Sequence, residues 1–499
     1  MLCEHTHDKE FGRTPACCQF LYEFHEDELI EVDGKKLCPF HAPLKDESGN
    51  PAEKENWTDD ERENFYAIIQ NLCRNASEHQ EHLDLSGVIF PSGANFRGME
   101  LPDVDFAHTE FNGGVDFRNT RFGGKSTRFY KARFLFRADF RGARFHSVKT
   151  TFRDARFGED ADFGNALFEG AASFQDARFG ASARFENAKF TGAGGTYFQG
   201  AAFEKSATFQ KTRFGGVTDF QDARFDEDVI FGKARFNKEA IFQNARFNSQ
   251  AGFQNIKFKG RAYFTATGND DDAAAFGGMV DFEDSKFLDE VDFENREFQR
   301  ATSFKGCAFH KAPRFHNCRL HQNTNFTDAE FMDTTSAGSA MAYRTLKLDM
   351  EEKRARQEQL RFYALEMKCR RHTEKRKFMK FISWMYEAMS DYGQRIFLPL
   401  AWLVFLFLLF TLVYAANFKG LPNLDAGSIP SLAIQFSIKQ IVRPFGLFGH
   451  SSIFQLVGET PASSLLPLPI IITATLQSIL SLALLLLSAL AVRWRFKVG

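Results

Sequence analysis

Apolar positions along this chain follow three different rules. Between residues 58 and 80, Phe65, Ile68, Ile69 and Leu72 recur at helical spacing behind a Thr58-to-Glu61 capping box, which predicts a helix. From Phe152 the following phenylalanines fall at steps of 5, 6, 5 and 6 as far as Phe190, and after one step of eight the alternation runs from Phe198 to Phe264. It resumes from Phe276 to Phe331 with Leu320 in one slot, and a less regular version begins near Phe90. Beyond these, Phe397 to Ala416 and Leu468 to Val492 carry no charge at all. Each is long enough to cross a bilayer.

The Phe array occupies residues 90 to 331 and holds 42 of the 60 phenylalanines. A period of 11 residues also fits a right-handed helical supercoil. Gly, Asn or Asp between the Phe positions, as in "FRGARF", "FGNALF" and "FENAKF", argues against helix and for turns. Ala stands two residues before most Phe, as at Ala143 and Phe145 or Ala177 and Phe179, and a spacing of two places both side chains on one face of an extended segment. Short strands joined by tight turns, each closed only by its neighbours, predict a solenoid with a ladder of rings inside. The irregular stretches "KFTGAGGTYF" and "FTATGNDDDAAAF" read as loops bulging from it, and Asp270, Asp271 and Asp272 as a solvated acidic loop.

The run "ADFRGARFHSVKTTFRDARF" resembles the pentapeptide-repeat proteins in their Phe-rich variant of five- and six-residue units. That resemblance implies a right-handed quadrilateral β-helix, a β solenoid of about eleven 22-residue coils, roughly 50 Å long at ~4.8 Å per coil. Phe145, Phe157, Phe163, Phe168, Phe174, Phe179, Phe185, Phe220, Phe231 and Phe242 are expected in its inner ladder. The expected boundaries are a Cys/His module at 1–45, a capping helix at 58–80, the β-helix at 85–332, a basic amphipathic helix at 340–392 and a two-span membrane domain at 397–499.

The segment from Met341 onward has no Gly or Pro for most of its length and reads as one long helix, its basic end between Lys368 and Lys380 marking the cytoplasmic side of the first span. The second span ends in "RWRFKVG", so both termini are expected inside, at the cell (inner) membrane. Between the spans, residues 431–445 read as a re-entrant helix, a surface helix or an external cap. Thr473, Gln477, Ser481 and Ser488 share one side of the second span, facing either a water-filled axis or a neighbouring helix. "YRTLKLDMEEKRARQEQLRFYALEMKCRR", "YEAMSDYGQRIFLPLAWL" and "FSIKQIVRPF" resemble membrane-bound bacterial pentapeptide-repeat proteins, some of which look like two-span ion channels. A potassium filter would show a "TVGYG"-like run, whereas this chain reads "IVRPFGLFG", so potassium selectivity is not expected; Lys439 and Arg443 point to a mouth that favours anions, or to no pore.

Composition changes this picture in three places. Residues 90 to 331 carry 34 Lys and Arg against 33 Asp and Glu, a balance that argues against a DNA-mimicking, topoisomerase-binding rod and against nucleic-acid partners; the recurrent "ARF" arginines are expected to pair with acids of adjacent coils. Cys3, Cys17, Cys18, Cys38 and His41 supply a Cys3His set for structural zinc, with His5, His7 and His25 as substitutes, in a chain whose first residues show no secretory leader. No P-loop, dinucleotide fingerprint, "GxSxG" or "HExxH" is present, and His310, His316 and His321 read as surface decoration, so no catalysis is expected. Together these features predict a non-enzymatic, homo-oligomeric, channel-like membrane protein whose cytoplasmic β-helix senses a protein partner, or alternatively a membrane-tethered scaffold with no pore.

Overall fold

The computed structural model describes residues 28–267, 275–419, 427–442 and 468–496, which fall into two compact units that divide after Asp333. The first unit opens with a hairpin of β1 (Ile30–Val32) and β2 (Lys35–Leu37), joined at Asp33 and Gly34. Both turn residues have positive φ, as a two-residue type I′ turn requires. Helix α1 (Asp59–His79) starts at the expected capping box, where Thr58 accepts from the Glu61 amide and the Glu61 carboxylate accepts from the Thr58 amide. Its Phe65 packs edge-on against Phe90, the first ladder ring, at 5.8 Å, so the helix covers aromatic surface at the start of the array. Lys54 is buried beside it: its Nζ donates to the carbonyls of Pro39 at 2.5 Å and Ile89 at 2.6 Å and lies 4.8 Å from the centre of the Phe65 ring. A buried cation is tolerable only with its donors satisfied in this way.

From Leu83 to Phe331 the chain is a β-solenoid of about eleven turns. Short parallel strands stack into four sheets, three of ten strands and one of eleven. In order around the coil, sheet one begins at Leu83–Asp84, sheet two at Ile89–Phe90, sheet three at Ala94–Asn95 and sheet four at Glu100–Leu101. All ten expected ladder residues, from Phe145 to Phe242, are buried. Phe122, Phe145, Phe168 and Phe190 stack one above another at 4.6, 4.4 and 4.6 Å, the spacing of hydrogen-bonded strands. Rings of adjacent sheets meet edge to face, as Phe163 and Phe174 do at 5.4 Å, which suits the aromatic quadrupole. The polar residues between the rings also have a definite job. Asn119, Asp154, Asn165, Asp176 and Gly142 have positive φ, two residues after a Phe whose carbonyl accepts from the amide three residues on, which is the type II turn geometry.

At the "KFTGAGGTYF" stretch the extra residues form a short corner rather than an extended bulge, since strands end at Phe190 and resume at Thr196. Gly192 is required there, because a Cβ would sit 2.2 Å from the Gly170 carbonyl oxygen of the preceding coil. The acidic loop at Asp270, Asp271 and Asp272 lies outside the described residues.

The second unit corrects the single long helix. Residues 337–390 form α2 (Ala337–Glu352), α3 (Arg356–Thr373) and α4 (Lys377–Ser390), with Arg354 in the left-handed region between the first two. Propensity alone favoured continuity, but Tyr343, Leu346 and Met350 line one stripe and Phe362 and Cys369 another. Folding α3 back on α2 buries both. Lys347 reaches the buried Glu366 at 2.7 Å across the pair. Helix α5 (Phe397–Phe418) and helix α7 (Leu468–Phe496) are long and apolar enough to cross a membrane. Helix α6 (Ile429–Val442) packs between them: Phe410, Tyr414 and Phe418 of α5, Ala433 and Phe436 of α6, and Ile470, Ala474 and Leu484 of α7 make one buried cluster.

Candidate functional site

The outward positions of the strands are where the solenoid meets anything else. Residues 21 to 29 apart in sequence, most of them 22 to 24, become direct neighbours there, because the parallel register places Phe157 beside Phe179 and Phe179 beside Phe203. Each sheet therefore shows a column of outer residues, and the columns differ in charge. On sheet three, Asp116, Asp139 and Asp162 stack in register and are neutralised locally: Arg118 reaches Asp116 at 2.5 Å and Arg141 reaches Asp139 at 2.6 Å. The Arg118 hydrogen bond holds the Asp116 carboxyl below its ordinary range.

Sheet two carries Arg133, Arg156, Arg178, Ala202, Arg224 and Arg246 in successive coils. A cleft of about 360 Å³ opens over Ala202, walled by Arg178, Arg224 and Arg246 but also by Glu204 and Asp222. Sheet four is different. Lys189, Arg213, Arg235, Lys257 and Lys286 occupy five consecutive coils, all exposed. None of the five has a carboxylate within 4.0 Å among the described residues. The expected pairing of the "ARF" arginines across coils therefore holds for Arg133 with Glu110 at 2.9 Å, whereas Arg144 and Arg235 stand apart from any described acid. Like charges directly opposed on neighbouring strands destabilise a sheet, so a column of five carries a standing cost.

Two of the five expected metal ligands are described, and they face each other. Cys38 and His41 are buried, with the Cys38 sulfur 3.1 Å from His41 Nδ1. His41 Nε2 lies 3.2 Å from the Ser86 carbonyl oxygen, which only accepts, so Nε2 carries the proton and Nδ1 presents its lone pair toward the thiol. A ligating histidine is typically oriented in this way by a carbonyl on its far nitrogen. Cys3, Cys17 and Cys18, with His5, His7 and His25, lie outside the described residues; among the described residues no group of three ligands occurs. Cys73 and Cys307 are buried thiols of another kind, pushed up to about 12 by desolvation.

Most polar residues of α7 are engaged within the chain, Ser481 excepted. Gln477 is fully buried; its Oε1 accepts from the Tyr414 hydroxyl at 2.7 Å, and its Nε2 donates to the Ser437 hydroxyl at 2.8 Å. Ser478 donates to Gln440 at 3.0 Å. Thr473 and Ser488 return their hydroxyls to the helix backbone at Pro469 and Leu484, and the buried Ser481 Oγ has no partner among the described atoms. Lys439 is half-exposed on α6, and Arg443 lies outside the described residues. Tyr414, Ser437, Gln440 and Ser478 were not singled out by sequence. Their signal was available only as a lone tyrosine hydroxyl near the C-terminal end of the first span and a Ser and Gln three residues apart on α6.

The family model for pentapeptide repeats (nine copies) matches this chain in overlapping windows covering residues 96–144, 129–178, 152–195, 174–224, 198–245 and 220–268. No curated protein and no solved structure matches it. The matched windows lie wholly within the solenoid, leaving the terminal units to be read from their own residues. Pentapeptide repeats folded as a β-solenoid, followed by two helices long and apolar enough to cross a membrane, are what this chain carries.

Proposed function

We propose that the protein is a non-enzymatic, membrane-tethered scaffold in which α5 and α7 anchor a pentapeptide-repeat rod, and sheet four docks an acidic surface of a protein partner. The observation that carries this reading is the run Lys189, Arg213, Arg235, Lys257 and Lys286, held one coil apart with no acid within 4.0 Å among the described residues. An acidic partner removes the repulsion that the isolated column bears. The near-balanced charge of the whole array disfavours a general affinity for nucleic acid, which follows net positive field. Purified full-length protein is expected to bind a fluorescent poly-glutamate probe with marked salt dependence. Changing Lys189, Arg235 and Lys257 together to Glu should weaken binding at least tenfold, while reversing Arg156 and Arg178 on sheet two should have a smaller effect. Equal losses for the two sets, or tighter binding of a nucleic-acid probe than of poly-glutamate, would remove the reading.

The channel-like reading needs polar residues of α7 to face water on a shared axis. Gln477 and Ser478 instead spend their hydrogen bonds on Tyr414, Ser437 and Gln440 of the same chain, which favours packing over a pore.

The N-terminal module is proposed to hold one structural zinc through Cys38 and His41 together with thiols from the first residues of the chain. Protein purified without chelator should retain about one zinc per chain by elemental analysis. Cys38→Ser or His41→Ala should release it, and full retention by both variants would exclude these ligands.

A further inference from the structure

Helix α4 leaves a compact group of large apolar side chains uncovered. Phe378 is 72% exposed, Phe381 53%, Ile382 43% and Trp384 54%, although they lie within two helical turns of one another. Phe378, Phe381 and Ile382 follow the i, i+3, i+4 spacing and so share one face. Around the start of the same helix stand Lys375, Arg376, Lys377 and Lys380, all exposed; none of their side-chain cations has a carboxylate within 4.0 Å among the described residues, and Glu374 caps the Arg376 amide at 2.9 Å. Neighbouring cations are engaged differently: Lys368 reaches Asp391 at 3.2 Å, and Arg371 pairs with Glu387.

The far end of α4 is fixed. Asp391, Tyr392 and Gly393 turn the chain in the left-handed region, Ser383 meets the Tyr392 hydroxyl at 2.9 Å, and Trp402 of α5 donates to the Ala388 carbonyl at 3.0 Å. Met389 joins the cluster that α5, α6 and α7 bury. The apolar face of α4 is thereby attached directly to the end of α5 from which Phe397, Leu400 and Trp402 present their own exposed apolar surface. Both helices therefore expose large apolar side chains on either side of the turn that joins them, with cations at the start of α4.

We propose that α4 is an interfacial anchor that lies in the headgroup region of an anionic bilayer. Phe378, Phe381 and Ile382 enter the acyl boundary, Trp384 sits at headgroup level, and Lys375, Arg376, Lys377 and Lys380 take lipid phosphates. An exposed aromatic face with flanking cations suits this environment, where ring and charge are satisfied at once. The proposal rests on α5 crossing the membrane, and it goes beyond that reading by assigning a lipid class to a helix that does not span.

The test uses full-length protein in vesicles containing lipids brominated near the headgroup end of the acyl chain, which quench tryptophan on contact. Trp57→Phe and Trp494→Phe leave Trp384 and Trp402 as reporters, separated by a further Trp384→Phe variant. Trp402 should be quenched in neutral and in phosphatidylglycerol vesicles alike, and Trp384 should be quenched most strongly with phosphatidylglycerol. Changing Lys375, Lys377 and Lys380 to Gln should abolish that dependence on lipid charge while leaving Trp402 unaffected. Quenching of Trp402 without Trp384 would overturn the anchor and leave the span intact, whereas quenching of neither would overturn both. Disulfide cross-linking between copies through Phe381→Cys, at an efficiency that lipid charge does not change, would assign the face to a second chain and equally overturn the proposal.

Discussion

Replacing Arg296 by Ala should destabilise the coils around it by roughly 3–5 kcal/mol, a larger effect than any change on the solenoid surface. Arg296 occupies the slot two residues before Phe298, where most units carry Ala, yet it is 1% exposed. Its guanidinium donates to Phe264 O, to Ala245 O at 2.9 Å and to Phe242 O at 2.9 Å, and it sits 5.0 Å from the centre of the Phe276 ring. It reaches these carbonyls beside the long step from Phe264 to Phe276, where the regular succession of slots is interrupted. Burial pulls its pKa down to about 9, so it stays charged at neutral pH. For a base with a depressed folded-state pKa, the unfolded chain holds the proton more firmly. The associated stability therefore rises only above about pH 9 and is flat below it. Truncation leaves both a cavity and three carbonyls without their donor. Arg296→Met should restore volume but not the hydrogen bonds, and should fall between wild type and Ala. Amide hydrogen exchange resolved along the chain reads this directly, with faster exchange from Phe242 to Phe304 and little change near Phe122. Wild-type exchange in Arg296→Ala would show that the carbonyls do not depend on it.

The second large effect is expected at Phe220. Its ring stacks on Phe198 at 4.7 Å and on Phe242 at 5.0 Å and meets Phe209 and Phe231 edge-on at 5.3 and 5.4 Å. Phe220→Ala removes these ring contacts in mid-array together with those to Phe214 and Phe225, a loss of about 3–5 kcal/mol. Phe331, at the last described strand, stacks on Phe309 at 5.2 Å, meets Phe326 at 6.2 Å and is half-exposed, so Phe331→Ala should cost well under the loss at Phe220, about 1 kcal/mol. Because each coil contacts only its neighbours, Phe220→Ala should lower protection in the adjoining coils and divide the array into two independently melting blocks. Thermal unfolding followed with hydrogen exchange distinguishes this from a uniform loss.

The solenoid was legible because its rule is local. Phe at five and six, Ala two residues earlier and a turn residue between them are all visible within one unit, and Asn165 or Asp176 with positive φ shows why the turn residue is there. The charge columns were hidden for the converse reason. Lys189 and Arg213 are 24 residues apart in sequence and adjacent in register, and a total of 34 against 33 charges averages away the separation of faces. Arg354 breaks the long helix without Gly or Pro, driven by two apolar stripes that only tertiary contact can bury. Arg296, two residues before Phe298, falls in the inward slot by the same local rule, but the carbonyls of Phe242 and Ala245 that it reaches lie more than 50 residues back in sequence. On α7, the side of the helix bearing Gln477 was legible, but its partners Tyr414 and Ser437 lie 63 and 40 residues away.

Scaffold and pore differ in whether the apolar helices anchor or conduct. Full-length protein reconstituted in liposomes, with potassium and chloride flux measured across a range of protein densities, addresses this most directly. With Gln477 held between Tyr414 and Ser437, flux should not exceed that of protein-free liposomes. Ion flux that rises with protein density and is altered by Gln477→Leu or Lys439→Gln would contradict the scaffold and restore a shared pore.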